Sequence, residues 1–132
     1  MKQIVGVVLA ACLVAGCSGN YDGRYPIDTI RIKTTGPGHA QPVSETFPLN
    51  AWFEIDSENS IRVHAGGVTS VYEHPMIVKT SGGFEAVSAG PRGKGEFTWS
   101  FEKGDPDGLC SLTFTHDRVH YLTLVSKGKE HG

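Results

Sequence analysis

The chain has little cysteine, no apolar run long enough to span a bilayer, no block of like charge and no long stretch of helical spacing. Each absence excludes something. Only Cys12, Cys17 and Cys110 occur in 132 residues, so a small scaffold held by several disulfides is out of reach. The N-terminal apolar run, Ile4 to Val14, falls well short of the about 20 residues that carry a helix across the hydrocarbon core. Lys and Arg number 12 against 14 Asp and Glu, mixed along the chain, for a formal charge of −2. That leaves no footprint for nucleic acid and no polybasic patch for a membrane surface. Without apolar residues sustained at i, i+3, i+4 and i+7, a helical domain is not expected.

What is present begins at the N-terminus. Lys2 precedes the apolar run, small residues close it, and polar Ser18-Gly19-Asn20 follow. A charged start, a short apolar stretch and a small-residue ending form an export signal rather than a fold element. Val14-Ala15-Gly16-Cys17 resembles a bacterial lipobox. The resemblance implies diacylglycerol on the Cys17 thiol and cleavage before it, commonly followed by acylation of the new amino group. Small residues suit a chain that passes extended through a peptidase site, and a thiol is the nucleophile that accepts lipid. Two or three acyl chains, at about 0.8 kcal/mol per buried CH₂, hold a protein on a bilayer almost permanently. Residue 18 is Ser rather than Asp; by the same resemblance this favours the outer membrane, on its periplasmic face, in a Gram-negative host.

The expected organisation is a signal peptide over 1–16, a lipidated N-terminus and tether over 17–20, and one β-rich periplasmic domain over 21–132. Residues 18–20 reach about 10 Å when extended, so a domain starting at Tyr21 rides close to the headgroups. Removing the signal also removes Lys2 and takes the formal charge from −2 to −3. It leaves Cys110 without an intramolecular partner, and a small buried hydrophobe is the ordinary role for such a residue.

Beyond the signal, apolar and polar residues alternate with period two. Phe97, Trp99 and Phe101 share one face of Glu96–Glu102; Ile61, Val63 and Ala65 share one face of 60–65; Cys110, Leu112 and Phe114 do the same in 109–115. Ile30 and Ile32 alternate with Arg31 and Lys33. Such strands have one dry and one wet face, as in antiparallel sheets. Turn residues at 56–59, 66–67, 81–83 and 105–108 divide them. The spacing predicts about eight strands, near 24–33, 49–56, 60–65, 69–79, 83–89, 95–103, 109–115 and 119–126. Short connections make this an antiparallel meander. Closure into a small closed or partly open β-barrel removes its edges; a β-sandwich is the alternative. Gly23-Arg24-Tyr25, where lipocalins often show Gly-x-Trp, and the meander after it resemble small calycin-like or lipocalin-like bacterial lipoproteins. That resemblance is one of architecture, and fold alone does not assign function.

Several residues invite chemistry. Ala86-Val87-Ser88-Ala89-Gly90 approaches a nucleophile elbow but lacks its first glycine and its helix. Gly90-Pro91-Arg92-Gly93-Lys94-Gly95 lacks phosphate-loop spacing and reads as a basic hairpin loop. His116 and His120 are the closest histidines; a two-residue Asp117-Arg118 turn would pair His116 with Val119 and His120 with Thr115. Zinc needs at least three protein ligands, and no third is evident. Asp105-Pro106-Asp107-Gly108 lacks the further oxygens of a calcium loop and reads as a turn. No catalytic, metal or cofactor set emerges, so the chain is read as a non-enzyme. Residues 34–48, rich in Gly, Pro, Ser and Thr, form a long loop that is either mobile or a lid or partner contact. If Phe53 and Ile55 face the core, Trp52 points outward, as a candidate partner-binding residue or one covered by the 34–48 loop.

The expectation is a membrane-anchored envelope lipoprotein that binds another envelope protein, as an inhibitor, assembly accessory or receptor-masking factor. The alternative is a lipocalin-like binder of a small apolar ligand, which requires a cavity bounded by Trp99, Phe101 and Phe114.

Overall fold

The structure, a computed structural model, describes residues 21–35, 44–104 and 108–130. Cys17, the signal, the tether, residues 36–43 of the long loop and Asp105–Asp107 lie outside the described residues.

Ten strands form one curled antiparallel sheet: β1 Gly23–Pro26, β2 Thr29–Thr34, β3 Ser44–Thr46, β4 Trp52–Asp56, β5 Ser60–Ala65, β6 Val68–Lys79, β7 Gly83–Ala89, β8 Glu96–Lys103, β9 Cys110–Thr115 and β10 His120–Ser126. Their order is β1-β4-β5-β6-β7-β8-β9-β10-β2-β3. From β4 to β10 the chain is a meander, each strand beside the next. The architecture is a barrel-like single sheet, not a two-layer sandwich.

Two predicted elements differ. The strand expected over 24–33 is two strands serving opposite ends of the sheet. β1 pairs with β4, Tyr25 opposite Phe53; β2 pairs with β10, Ile30 opposite Leu124. Between them the Ile27 N–H donates to Ala51 O and the Asp28 N–H to Val125 O, both at 2.8 Å. One bent segment thus bonds first to one side of the sheet and then to the other, which draws the curl together. Farther along, the Glu130 N–H donates to Arg24 O at 2.7 Å, carrying the C-terminal segment beside β1. The second difference lies in the long loop, whose residues 44–46 form β3 against β2. All three β3 residues are exposed, so backbone pairing rather than burial places them.

The alternation resolves as expected elsewhere. Phe53, Ile61, Trp99, Leu112 and Leu124 are fully buried, and Ile55, Phe84 and Phe101 nearly so. Each such side chain contributes about 1.5–3 kcal/mol relative to remaining exposed. Aromatic rings interlock across the interior: Tyr25 stacks on Phe53 at 4.8 Å, Phe84 on Phe101 at 5.2 Å, and Tyr72 meets Trp99 edge-on at 4.8 Å. Pairs of this kind add about 0.5–1.5 kcal/mol beyond area burial. Burial holds the Tyr25 and Tyr72 hydroxyls neutral, raising both above the ordinary tyrosine range. The Tyr25 hydroxyl donates to Tyr21 O at 2.8 Å, pinning the first described residue across the Phe84–Phe101 end of the core.

β6 is bulged between Glu73 and Met76, where His74 takes φ of +53°. Pro75 sits inside this irregularity, a place in a sheet where its missing N–H costs least. Gly83 has a different reason to be glycine: a Cβ there would collide with the Phe101 carbonyl on β8.

Candidate functional site

Strand ends define two ends of the curled sheet. The end holding Tyr21, Phe84 and Phe101 is packed solid. At the other, inward-facing side chains lose their cover: Phe97, Phe114, Leu122 and Val63 are only partly buried, and Ile32 is exposed. The inward row Ile32–Leu122–Phe114–Trp99 follows directly from register, since Ile32 opposes Leu122, Leu122 opposes Phe114, and Phe114 opposes Trp99. Trp99 ends the row fully buried, its ring 4.6 Å from Phe114.

A pocket of about 220 Å³ opens at this end, with Ile32, Phe114 and Leu122 forming its apolar wall and His116, Asp117 and His120 its rim. The rim is the β9–β10 loop, and its construction corrects the sequence expectation. Thr115 pairs with Tyr121, so residues 116–119 connect β9 to β10 and the connection is not a two-residue Asp117-Arg118 turn. Asp117 organises it: Oδ1 accepts the Val119 and His120 N–H groups, each at 2.8 Å, and Oδ2 accepts His120 Nδ1 at 2.6 Å. The Arg118 N–H donates to Thr115 Oγ1 at 2.8 Å, with Arg118 at φ +63°. The imidazole hydrogen bond first, and then the two backbone N–H groups, hold the Asp117 carboxyl well below the usual carboxylate range.

His116 and His120 do not converge. His116 Nδ1 donates to Glu96 O at 3.0 Å, and its ring stacks on Phe97 at 4.7 Å. Gly95 makes room for that ring, since a Cβ there would strike it. Among the described residues no group of three His, Cys, Asp or Glu side chains could hold a metal ion.

The other sequence candidates fall elsewhere. Ser88 is buried, and its hydroxyl accepts the Trp99 indole N–H at 2.7 Å; it serves the core and is shut off from any substrate. Gly90–Gly95 forms a short 3-10 turn over Pro91–Gly93, closed by the Gly90 N–H donating to Gly95 O at 3.2 Å. Cys110 is buried and free, its Sγ 3.4 Å from Gly108 O; desolvation raises its pKa.

Trp52 points outward, as the burial of Phe53 and Ile55 requires. Among the described residues, neighbours on both sides of β4 cover it. The His64 ring stacks on it at 5.1 Å, and the Arg24 guanidinium lies 3.8 Å from its centroid. Thr69 Oγ1 holds His64 Nδ1 at 2.8 Å, and Glu54 lies 3.7 Å from Arg24 and 3.8 Å from Arg62. Trp52 is therefore half-buried on the outer wall, apart from the pocket.

Sequence reasoning missed the pocket wall. Ile32 and Leu122 show only as ordinary members of alternating strands, and their exposure depends on where the curl ends. An available signal was the loss of strong apolar pairing beyond Phe114 and Leu122, where His116, Asp117 and His120 begin. An outer patch also escaped notice: Met76 lies directly opposite Val87, with Val78 beside them, and all three are exposed. The space expected around Trp99 and Phe101 is filled, since neither offers more than 1% of its surface to water.

No protein-family profile, curated protein or solved structure matches the chain.

Proposed function

We propose that this chain is exported, carries lipid on Cys17 and acts as a non-enzymatic binding module for another protein of the cell envelope. The anchoring half of the reading rests on Val14-Ala15-Gly16-Cys17. The binding half rests on one observation: a filled core beneath an exterior that leaves large apolar side chains in water. Leu49 is 88% exposed, Met76 75% and Phe47 72%. Scattered single residues of this kind are ordinary, but grouped ones mark contact surfaces. Met76, Val78 and Val87 are grouped on the outer wall, and Ile32 joins Phe114 and Leu122 at the open end.

The anchor gives these surfaces a direction. Tyr21 packs on Phe84 and Phe101, with rings 5.6 Å and 5.3 Å away, at the end opposite the pocket. A three-residue tether leaving from there keeps the packed end toward the bilayer and turns the open end toward the periplasm. Lipocalin-like uptake of a ligand into the interior is disfavoured by the filled space around Trp99.

Photo-crosslinking in intact cells tests the binding half. A benzophenone side chain is placed singly at Val119, Trp52 and Met76. A discrete protein adduct from one face and not the others is expected. Equal labelling from all three positions, or adducts to lipid alone, would count against a specific partner.

A further inference from the structure

The pocket at the open end has a shape and a charge setting that together specify what enters it. Its wall is apolar, made by Ile32, Phe114 and Leu122, and Phe114 is backed by fully buried Trp99. Its volume is about 220 Å³. An apolar cavity of about 150 Å³ suffices to take up benzene, so this space accepts one aromatic ring or one branched aliphatic group and little more. Such a pocket suits a single anchoring side chain, as hot-spot residues seat in desolvated pockets.

Charge around the mouth is lopsided. Lys33 lies on β2, opposite pocket-lining Tyr121; Arg118 lies in the rim loop; Lys94 lies in the neighbouring β7–β8 loop, whose Gly95 touches the His116 ring. All three are exposed, and none makes a salt bridge among the described residues. Of the carboxylates of this end, Glu45 holds Arg31 at 2.8 Å, while Asp117, hydrogen-bonded to His120 at 2.6 Å, keeps its negative charge. Asp117 and Glu96 stand against these three cations. A protein of formal charge −2 thus presents a net positive rim around an apolar hole. Complementary potential across an interface governs which partner docks and how fast.

We infer that the open end receives one aromatic or branched aliphatic side chain from an acidic segment of the partner protein. The apolar group enters between Ile32, Phe114 and Leu122, while carboxylates flanking it in the segment face Lys33, Arg118 and Lys94. This inference rests on the protein-binding reading above and narrows it to one surface and one kind of segment.

The test uses the purified, isotope-labelled full chain and three synthetic peptides: Asp-Glu-Phe-Glu-Asp, the same with Ala for Phe, and Lys-Lys-Phe-Lys-Lys. Phenylpropionate serves as a fourth probe. Methyl signals of Ile32 and Leu122 and the imidazole signals of His116 and His120 are followed by NMR, with palmitate incorporation scored separately on the same preparation. That separation keeps failure of anchoring distinct from failure of the pocket. The acidic Phe peptide is expected to shift these signals saturably, with the Ala and Lys peptides binding at least tenfold more weakly. Ile32→Glu and Arg118→Glu are each expected to weaken binding at least fivefold while Leu112 and Leu124 signals stay in place. Equal binding of the Ala or Lys peptide, shifts confined to residues outside the mouth, or absence of saturation would overturn the inference. Saturable binding of phenylpropionate alone would overturn it too, marking a small-molecule site.

Discussion

The Trp99 indole N–H reaches the Ser88 hydroxyl at 2.7 Å across β7 and β8, inside a core otherwise built from aromatic and aliphatic groups. The two are not direct register partners: Trp99 opposes Ala86, and Ser88 opposes Phe97. The bond is therefore diagonal, and it accounts for a serine on the dry face of β7. A buried indole left without an acceptor loses more than a hydrogen bond is worth, because the group has already given up water.

Ser88→Ala is expected to destabilise the fold by about 1–3 kcal/mol, the cost of an orphaned buried donor. Ser60 supplies the contrast. Its hydroxyl is buried with no partner among the described residues, so Ser60→Ala should be neutral or mildly stabilising. Urea unfolding followed by tryptophan fluorescence reads both. Equal losses for the two variants would show that the Ser88–Trp99 bond carries no particular weight.

Adjacent glycines give a second paired test. A Cβ at Gly83 collides with backbone on β8, whereas nothing lies within 4 Å of one at Gly82. Gly83→Ala should cost about 1–3 kcal/mol, as overpacking does, and Gly82→Ala should fall within about 0.5 kcal/mol of the parent. Thermal unfolding of the two variants side by side measures the difference.

Asp117 predicts a pH response confined to the pocket rim. Its folded pKa is depressed, chiefly by the His120 ring and then by backbone N–H groups. A depressed carboxylate contributes above its unfolded value, about 4, and loses that contribution only as pH falls through the lower folded value. The Val119 and His120 amides should therefore stay protected from hydrogen exchange at pH 4 and weaken below it. Asp117→Asn should lose that protection already at pH 6, leaving the core amides unchanged.

Cys110 should behave as a packing residue. It is buried, and desolvation raises its pKa above the ordinary thiol value, so little thiolate forms near neutrality. Iodoacetamide at pH 7.5 is expected to leave the folded protein unmodified and to label Cys110 rapidly in 6 M guanidinium. Fast labelling of the folded protein would contradict this burial.

Much of the fold was legible because alternation survives in strands with one dry face. Strands expected at 60–65 and 83–89 coincide with β5 and β7, and those at 95–103, 109–115 and 119–126 begin one residue early. The split of the first strand was harder to see. Tyr25 and Ile27 occupy odd positions and Ile30 and Ile32 even ones, and that change of phase at Asp28 marks the bend in retrospect. β3 left no trace, since Ser44, Glu45 and Thr46 bury nothing and pair only by backbone. The rim loop was misread because Asp117-Arg118 lacks the glycine that a tight two-residue turn favours, and the Asp117 side chain builds a longer one. The pocket lies at the junction of these features, which is why no local pattern announced it.

The proposed anchor at Cys17 would orient the open end, and intact mass spectrometry of protein extracted from membranes tests it most directly. The expected species begins at Cys17 and carries diacylglycerol, with or without an added amide-linked acyl chain; Cys17→Ser should abolish it and leave unprocessed chain. A mature species without lipid, cut at another position or still beginning at Met1, would contradict the anchor and the orientation drawn from it.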